Sequence, residues 1–326
     1  MKKFSVSFLC TAWLTIVAFS NAFAADSVYN LKMHHPGPLG HPYHQGALEF
    51  KERVEKYSAN TITIDIFPNN ELASGRQAVE AVQFGTIDIA LESSMAVTNF
   101  EKIFGVLDMP FLFPNRDVVY KVLDGEIGKI LAKKLEDKNL ELLYFWDNGF
   151  RNISNSKKPI NSVEDLKGLK IRVPESKVYI ATFEALGAIP TPMAFSELFA
   201  ALQLKTVDGQ ENPNGHMIAY KLYEVQPYFA ITNHIYAAEP LLIRKDLFDG
   251  FSGAQKDAIL KAAKEAGDIQ RKLSTDVESD YLRQIKEQKV EVTTPELSAF
   301  RNAVKSVYDS YSENFGALIE QILAVK

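Results

Sequence analysis

The chain has 326 residues, 46% of them hydrophobic and 24% charged, which excludes a disordered, collagen-like or disulfide-stapled protein. Lys and Arg total 36 against 41 Asp and Glu, a net charge of −5, so neither nucleic acid nor an anionic membrane surface is expected as the main partner. The length predicts about two domains, each with its own core and a cleft between them.

Lys2 and Lys3, the mostly apolar run 9–18 and Ala22-Phe23-Ala24 read as a secretory signal peptide cleaved near Ala24. Thr11 and Thr15 interrupt the run, which is short for a membrane span. A buried first helix or an anchor is the alternative. The single cysteine, Cys10, lies inside this leader and before most of its apolar run, so lipidation is not expected. The mature chain then has no disulfide, thiolate metal site or cysteine nucleophile. An exported protein is expected.

Residues 28–33 read as a strand, and 43–57 as a helix with Ala47, Phe50, Val54 and Tyr57 on one face. Ile62, Ile64 and Ile66 alternate with polar residues in a second strand that ends at Pro68. A helix over 75–84 closes at Gly85, and a strand follows over 87–91. This alternation predicts a parallel sheet, whose ligands sit beyond the carboxyl ends of the strands. His34-His35 and Glu92-Ser93-Ser94 fall there.

A second such pattern begins near residue 140. Residues 140–146 form a strand, Asn148-Gly149 a turn, and Ser162 to Asp165 a capping box. A strand over 169–173 carries Arg172, helices cover 177–186 and 196–203, and 207–211 leads into Asn212-Pro213. Residues 228–243 are β-like and return to the first sheet. Ser252 to Gln255 caps a stripe from Ala258 to Ile285, a helix over 253–288 that bridges both domains unless it breaks near Gly267.

Enzyme signatures are absent: no glycine-rich phosphate loop, H-E-x-x-H or G-x-S-x-G occurs. An exported enzyme would have to use Glu92 or Glu175 as acid or base. His34, His35, His41 and His44 crowd one Pro- and Gly-rich loop, where they bind a metal, hydrogen-bond a ligand or simply pack. Arg172, near the carboxyl end of its strand, suits bidentate grip of a carboxylate, but an internal salt bridge fits equally. Arg151 carries the same ambiguity.

Asn148-Gly-Phe-Arg151, Ile160-Asn-Ser-Val163, Leu166-Lys-Gly-Leu-Lys-Ile-Arg-Val-Pro174, Thr191-Pro-Met-Ala-Phe-Ser-Glu197 and Val207-Asp-Gly-Gln-Glu-Asn-Pro213 together resemble the periplasmic solute-binding subunits of TRAP transporters. These are tripartite, ATP-independent uptake systems for organic acids. Leu72 with Gly75-Arg76, Tyr223-Glu-Val225 and Thr232-Asn-His-Ile235 agree, so the resemblance covers essentially the whole mature chain. It implies an α/β, two-domain periplasmic-binding-protein-like clamp with a long domain-bridging helix. The domains would be 25–149 plus about 238–277, and 150–237 plus about 278–326, after a signal peptide of 1–24.

The resemblance also assigns the site. Arg172 matches the arginine that pairs with the ligand carboxylate, Asn212 the asparagine beside it and Arg151 the second arginine. Phe195 matches a pocket aromatic, and His34, Glu92 and Glu175 line the polar part of the ligand, with Ser74 counted beside them. The sialic-acid-binding branch would carry asparagine where His34 and Glu175 stand. No catalytic residue, cofactor or metal is expected. The glutamates would repel a second ligand carboxylate and welcome hydroxyls. The expectation is therefore a monomeric periplasmic receptor for a sugar acid (hexuronate, aldonate or sialate) that docks transiently on integral-membrane TRAP subunits. A C4-dicarboxylate or other monocarboxylate receptor, or a metal-dependent one using the four histidines, is the alternative.

Overall fold

A computed structural model of the chain describes residues 27–325; the expected leader and its cleavage site lie outside the described residues. Nine strands form one mixed sheet: β1 (Tyr29–His34), β2 (Ile62–Phe67), β3 (Ile89–Leu91), β4 (Leu140–Asn155), β5 (Lys170–Val173), β6 (Ile189–Pro192), β7 (Gly209–Pro213), β8 (Tyr228–Arg244) and β9 (Glu291–Thr293). Their order is β2-β1-β3-β8-β4-β7-β5-β6, with β9 against β8. At one end β1 runs parallel to β2 and β3, and at the other β5 runs parallel to β6 and β7, as βαβ chemistry requires. Between these ends β4 and β8, of 16 and 17 residues, pair antiparallel along their length and stitch the two parallel units together.

The structure corrects the turn expected at Asn148-Gly149. The strand continues through it with a β-bulge, where pairing steps from Asp147–Ala238 to Gly149–Ala237. Gly149 has φ +113°, a conformation that glycine adopts without a Cβ penalty. A turn and a bulge ask for the same residue type, which is why the local signal misleads. The Gln270 side chain repairs the interrupted ladder: its Oε1 accepts the Asp147 N–H at 2.8 Å and its Nε2 donates to the Asp147 carbonyl at 2.8 Å. Arg116 and Tyr120 hold the Asp147 carboxylate from the other side, the Arg116 contact at 2.8 Å.

Gln270 belongs to the helix Gly253–Glu287, which is unbroken over 35 residues and about 52 Å long at 1.5 Å per residue. It opens with the predicted Ser252–Gln255 capping box. Gly267 marks close approach, not a break. A Cβ there would stand 2.2 Å from Cδ1 of Tyr144, so the ring packs directly on the helix backbone. Ile259, Ala262, Ala263 and Ala266 join the apolar cluster over β1–β3, whereas Ile285 joins the one containing Phe229, Leu198 and Val290. One helix thus braces both ends of the sheet.

Two separate cores were the expectation; besides the clusters at the two ends of the sheet, a third joins the halves. The largest cluster runs without a break from Val79, Phe104 and Leu140 to Ile171, Phe183 and Ile322. It is continuous because the 3-10 segment Lys102–Asp108 packs against the helices Lys177–Ala185 and Lys305–Ala324. Asp108 is fully buried at this contact, where Ser176 Oγ donates to its carboxyl at 2.8 Å and Ser94 Oγ at 3.4 Å. Burial pushes Asp108 up from 3.8 to about 7. Its folded-state value is raised, so its contribution to stability is full below about pH 4 and is lost as pH rises through about 7. Asp108→Asn should therefore gain stability relative to the parent between pH 5 and pH 8, by about 2–3 kcal/mol. Thermal melts of both proteins at the two pH values check this, and a constant difference would refute it.

Candidate functional site

A cleft of about 690 Å³, counted out to its open mouth, lies where loops leave the strand ends. From the β3–β8 side it is lined by Ser74, just before the helix Arg76–Phe84, by Glu92, one residue past β3, and by Glu239 on β8. From the β7–β5 side come Arg172 on β5, Glu175 and Phe195 just past β5 and β6, Asn212 on β7 and His216 on the helix Asn214–Ala219. Asn148, the bulged residue of β4, and Arg151, three residues further on, line it between these groups. Parallel strands on both sides deliver their carboxyl ends to one place, which is how distant sequence positions meet.

Of the eight residues expected at the site, His34 stands apart. It lies behind the lining, fully buried, with Nε2 3.1 Å from Oε1 of Glu92. The same oxygen accepts the Gly75 N–H at 3.1 Å. His34 therefore orients Glu92 instead of touching the cleft. Glu175 is exposed at the mouth, and Phe195 is half-buried.

The two arginines, alike in sequence, have opposite surroundings. Arg151 is locked to Glu211: Nε lies 2.5 Å from Oε2, and Nη2 lies 2.8 Å from Oε1 and 2.7 Å from the Glu211 carbonyl. Burial opposes its charge, but the Glu211 carboxylate outweighs that and holds it above the ordinary guanidinium value. His234 Nε2 contacts Glu211 at 3.2 Å, and Thr232 Oγ1 holds His234 Nδ1 at 2.7 Å, completing a buried chain. Arg172 is 3% exposed, yet no carboxylate lies within ion-pairing distance of it among the described residues. Its Nε and Nη2 both donate to the Met193 carbonyl, at 3.1 and 2.7 Å, and its guanidinium stands 5.9 Å from the Phe195 ring centroid. Burial pulls Arg172 down to about 10, so it stays charged at neutral pH. A buried cation without an anion calls for one.

Sequence reasoning missed Asn148, His216 and Glu239. Each lines the cleft, and each carries a buried polar atom with no hydrogen-bond partner among the described residues: Asn148 Oδ1, His216 Nδ1 and Glu239 Oε2, joined by Asn70 Oδ1. Glu239 had a legible signal, a lone acid in the apolar run Ile235-Tyr-Ala-Ala-Glu-Pro-Leu-Leu-Ile243. His216 stacks edge-on to Phe195 at 5.4 Å and lies 5.3 Å from Tyr220, giving one wall an aromatic face. Burial, with help from His41 and the two arginines, keeps His216 neutral.

Among the described residues, no group of three or more His, Cys, Asp or Glu side chains could hold a metal ion. The four loop histidines have other partners: His35 Nε2 lies 3.1 Å from His44 Nδ1, His34 holds Glu92, and His41 packs against Tyr43 and His216. Burial takes His35 and His41 down to about 3.

Residues 33–314 match the family model DctP, bacterial extracellular solute-binding protein, family 7. The C4-dicarboxylate-binding periplasmic protein DctP of Rhodobacter capsulatus is 34% identical over 320 residues, which cover 95% of this chain and 90% of that one. A TRAP periplasmic solute-binding protein from Polaromonas sp. JS666, solved with bound D-erythronate, superposes with a TM-score of 0.89 at 38% identity, covering 91% of this chain and 99% of that one. The sugar acid binding protein DctPAm from Advenella mimigardefordensis, solved in complex with galactonate, gives a TM-score of 0.89 at 36% identity, over 92% and 98% of the chains. Fold, motifs and family model agree: the chain belongs to the DctP family of bacterial extracellular solute-binding proteins, the periplasmic receptors of TRAP transporters.

Proposed function

We propose that this protein captures a sugar acid in the periplasm and hands it, unchanged, to the integral-membrane subunits of a TRAP transporter. One observation carries the reading. The cleft combines a single buried cation lacking an anion, Arg172, with four orphaned polar atoms on Asn70, Asn148, His216 and Glu239. A ligand with one carboxylate and several hydroxyls matches that inventory, because each buried polar group left unpaired costs about 1–3 kcal/mol. The erythronate and galactonate complexes of its relatives support the same class.

In this reading Arg172 and Asn212 grip the carboxylate. Arg151, committed to Glu211, adds positive charge and holds the frame. Phe195 covers the apolar face of the ligand, and Glu92, Glu175 and Ser74 meet its hydroxyls, with His34 fixing Glu92. The leader ends near Ala24, and the receptor works as a monomer that binds no nucleic acid and performs no turnover. Residues 25–149 with about 238–277, and 150–237 with about 278–326, act as two lobes that hinge at the Gly149 and Ala237 bulge. Closure of such lobes on a ligand is a familiar switching motion.

Titration calorimetry of the mature protein against D-galactonate, D-erythronate, D-glucuronate, succinate and malate tests the ligand class. A sugar acid should bind and the dicarboxylates should not. Saturation at 100 times Kd should also add about 2.7 kcal/mol of stability. Small-angle scattering of the same samples should show a smaller radius with the bound acid. Tight succinate or malate binding with none for the sugar acids would overturn the sugar-acid reading and favour the dicarboxylate alternative.

A further inference from the structure

Glu239 is 2% exposed, and its two carboxyl oxygens are treated differently. Tyr43 Oη donates to Oε1 at 2.9 Å and Asn148 Nδ2 donates to the same oxygen at 2.7 Å. Oε2 has no partner among the described residues, although it is buried and its residue lines the cleft. An oxygen that already accepts two donors is a poor seat for a proton, so the proton of a neutral carboxyl belongs on Oε2. Glu92 sits next door, since its N–H donates to the Pro240 carbonyl at 3.2 Å. Both residues line one cleft, and the charge of Glu92 opposes ionisation of Glu239 there.

We propose that Glu239 is a specificity-determining residue that remains a neutral acid on ligand capture and donates Oε2–H to an oxygen of the ligand, coupling binding to one proton. The inference rests on the organic-acid reading given above. It adds which protein group supplies a hydrogen-bond donor apart from the arginine, and at what pH that donor is lost. An arriving anion and a closing mouth both favour the uncharged form further, so the coupling has a definite sign.

Burial, and then the charge of Glu92, raise Glu239 from 4.5 to about 8. The groups that face it are Tyr43 from the helix Pro42–Tyr57, Glu92 with His34 behind it, Arg151 on β4, and His216 and Tyr220 on or just past the helix Asn214–Ala219. Burial holds Tyr43 and Tyr220 well above the ordinary phenol value and His216 well below the ordinary imidazole value, so these three do not titrate between about pH 6 and pH 9. Arg151 stays charged throughout. Asp108, at about 7, lies outside the lining and is common to the parent and the variant used below.

The test uses Glu239→Gln, whose Oε1 can still accept from Tyr43 and Asn148 while Nε2 donates to the ligand. Calorimetry with D-galactonate and D-erythronate across pH 6 to 9.5, in two buffers of different ionisation heat, reads affinity and proton uptake together. The parent should bind with constant affinity and almost no proton uptake up to about pH 7, then lose up to tenfold per unit above about pH 8, where uptake approaches one proton per ligand. Glu239→Gln should bind within a few-fold of the parent at pH 7 and show neither the decline nor the uptake. Independently of any ligand, infrared difference spectra of the parent at pH 6.5 against the variant should show a carboxylic-acid C=O band that disappears by pH 9.5. A missing band, a flat parent profile, a decline that persists in the variant, or a variant that folds but no longer binds at pH 7 would each overturn the proposal. If neither acid binds the parent, the sugar-acid reading fails, and the infrared band still decides whether Glu239 is the neutral acid.

Discussion

Calorimetric titration of Arg172→Ala with the sugar acid that the parent binds should show an affinity loss of about 2–5 kcal/mol, roughly 30- to 4,000-fold in Kd. The protein itself should melt within a few degrees of the parent. Both halves of this expectation come from one geometry: Arg172 has no carboxylate to abandon, only the Met193 carbonyl, and its burial is a cost that truncation relieves. Arg172→Lys keeps the charge and loses the planar fork, so it should lie between the two. Wild-type affinity in a folded Arg172→Ala protein would show that the ligand carboxylate sits elsewhere.

Arg151→Ala should do the reverse. It strands the Glu211 carboxylate in a dry interior with His234 as its remaining polar neighbour, a loss of about 3–5 kcal/mol or on the order of 10 °C in Tm. Changing both partners to apolar residues, Arg151→Met with Glu211→Leu, should recover much of that stability, because no unpaired charge remains. Thermal melts of the two singles and the double measure the coupling between them. If Arg151→Ala melts like the parent and fails only in ligand binding, then Arg151 is a direct ligand group and not part of the frame.

This contrast also marks how far the sequence could be read. Both arginines carried the same two readings, salt bridge or anion site; the structure pairs Arg151 with Glu211 and gives Arg172 no carboxylate partner among the described residues. Nothing local separates them, because what decides is Glu211, sixty residues from Arg151 and brought beside it only by β4–β7 pairing. Elements set by nearest neighbours were legible: the Ile62-Ile64-Ile66 alternation, the Ser252–Gln255 box and the Gly253–Glu287 stripe all lie where their periodicity puts them. The β4 bulge and the Gly267 approach were not, since a glycine announces freedom and not its use. Seven of the eight expected site residues reach the cleft, whereas His34 falls one layer behind it. Glu239 was overlooked because a single acid in an apolar strand reads as a pairing problem until its neighbours are known.

The long β4–β8 pair sets the order in which the molecule can assemble. β3 has β8 as its second neighbour, so the first parallel unit cannot close its sheet until residues 241–243 are present, some 150 positions further on. The same strand completes the far side through β4. Neither end can therefore finish alone while the chain emerges N-terminus first, and contacts of such long range form slowly. About three quarters of the polypeptide must arrive before the sheet can lock. A chain that has to be threaded through a membrane before it folds is served by that delay, and its two ends should then be lost together in one melting transition.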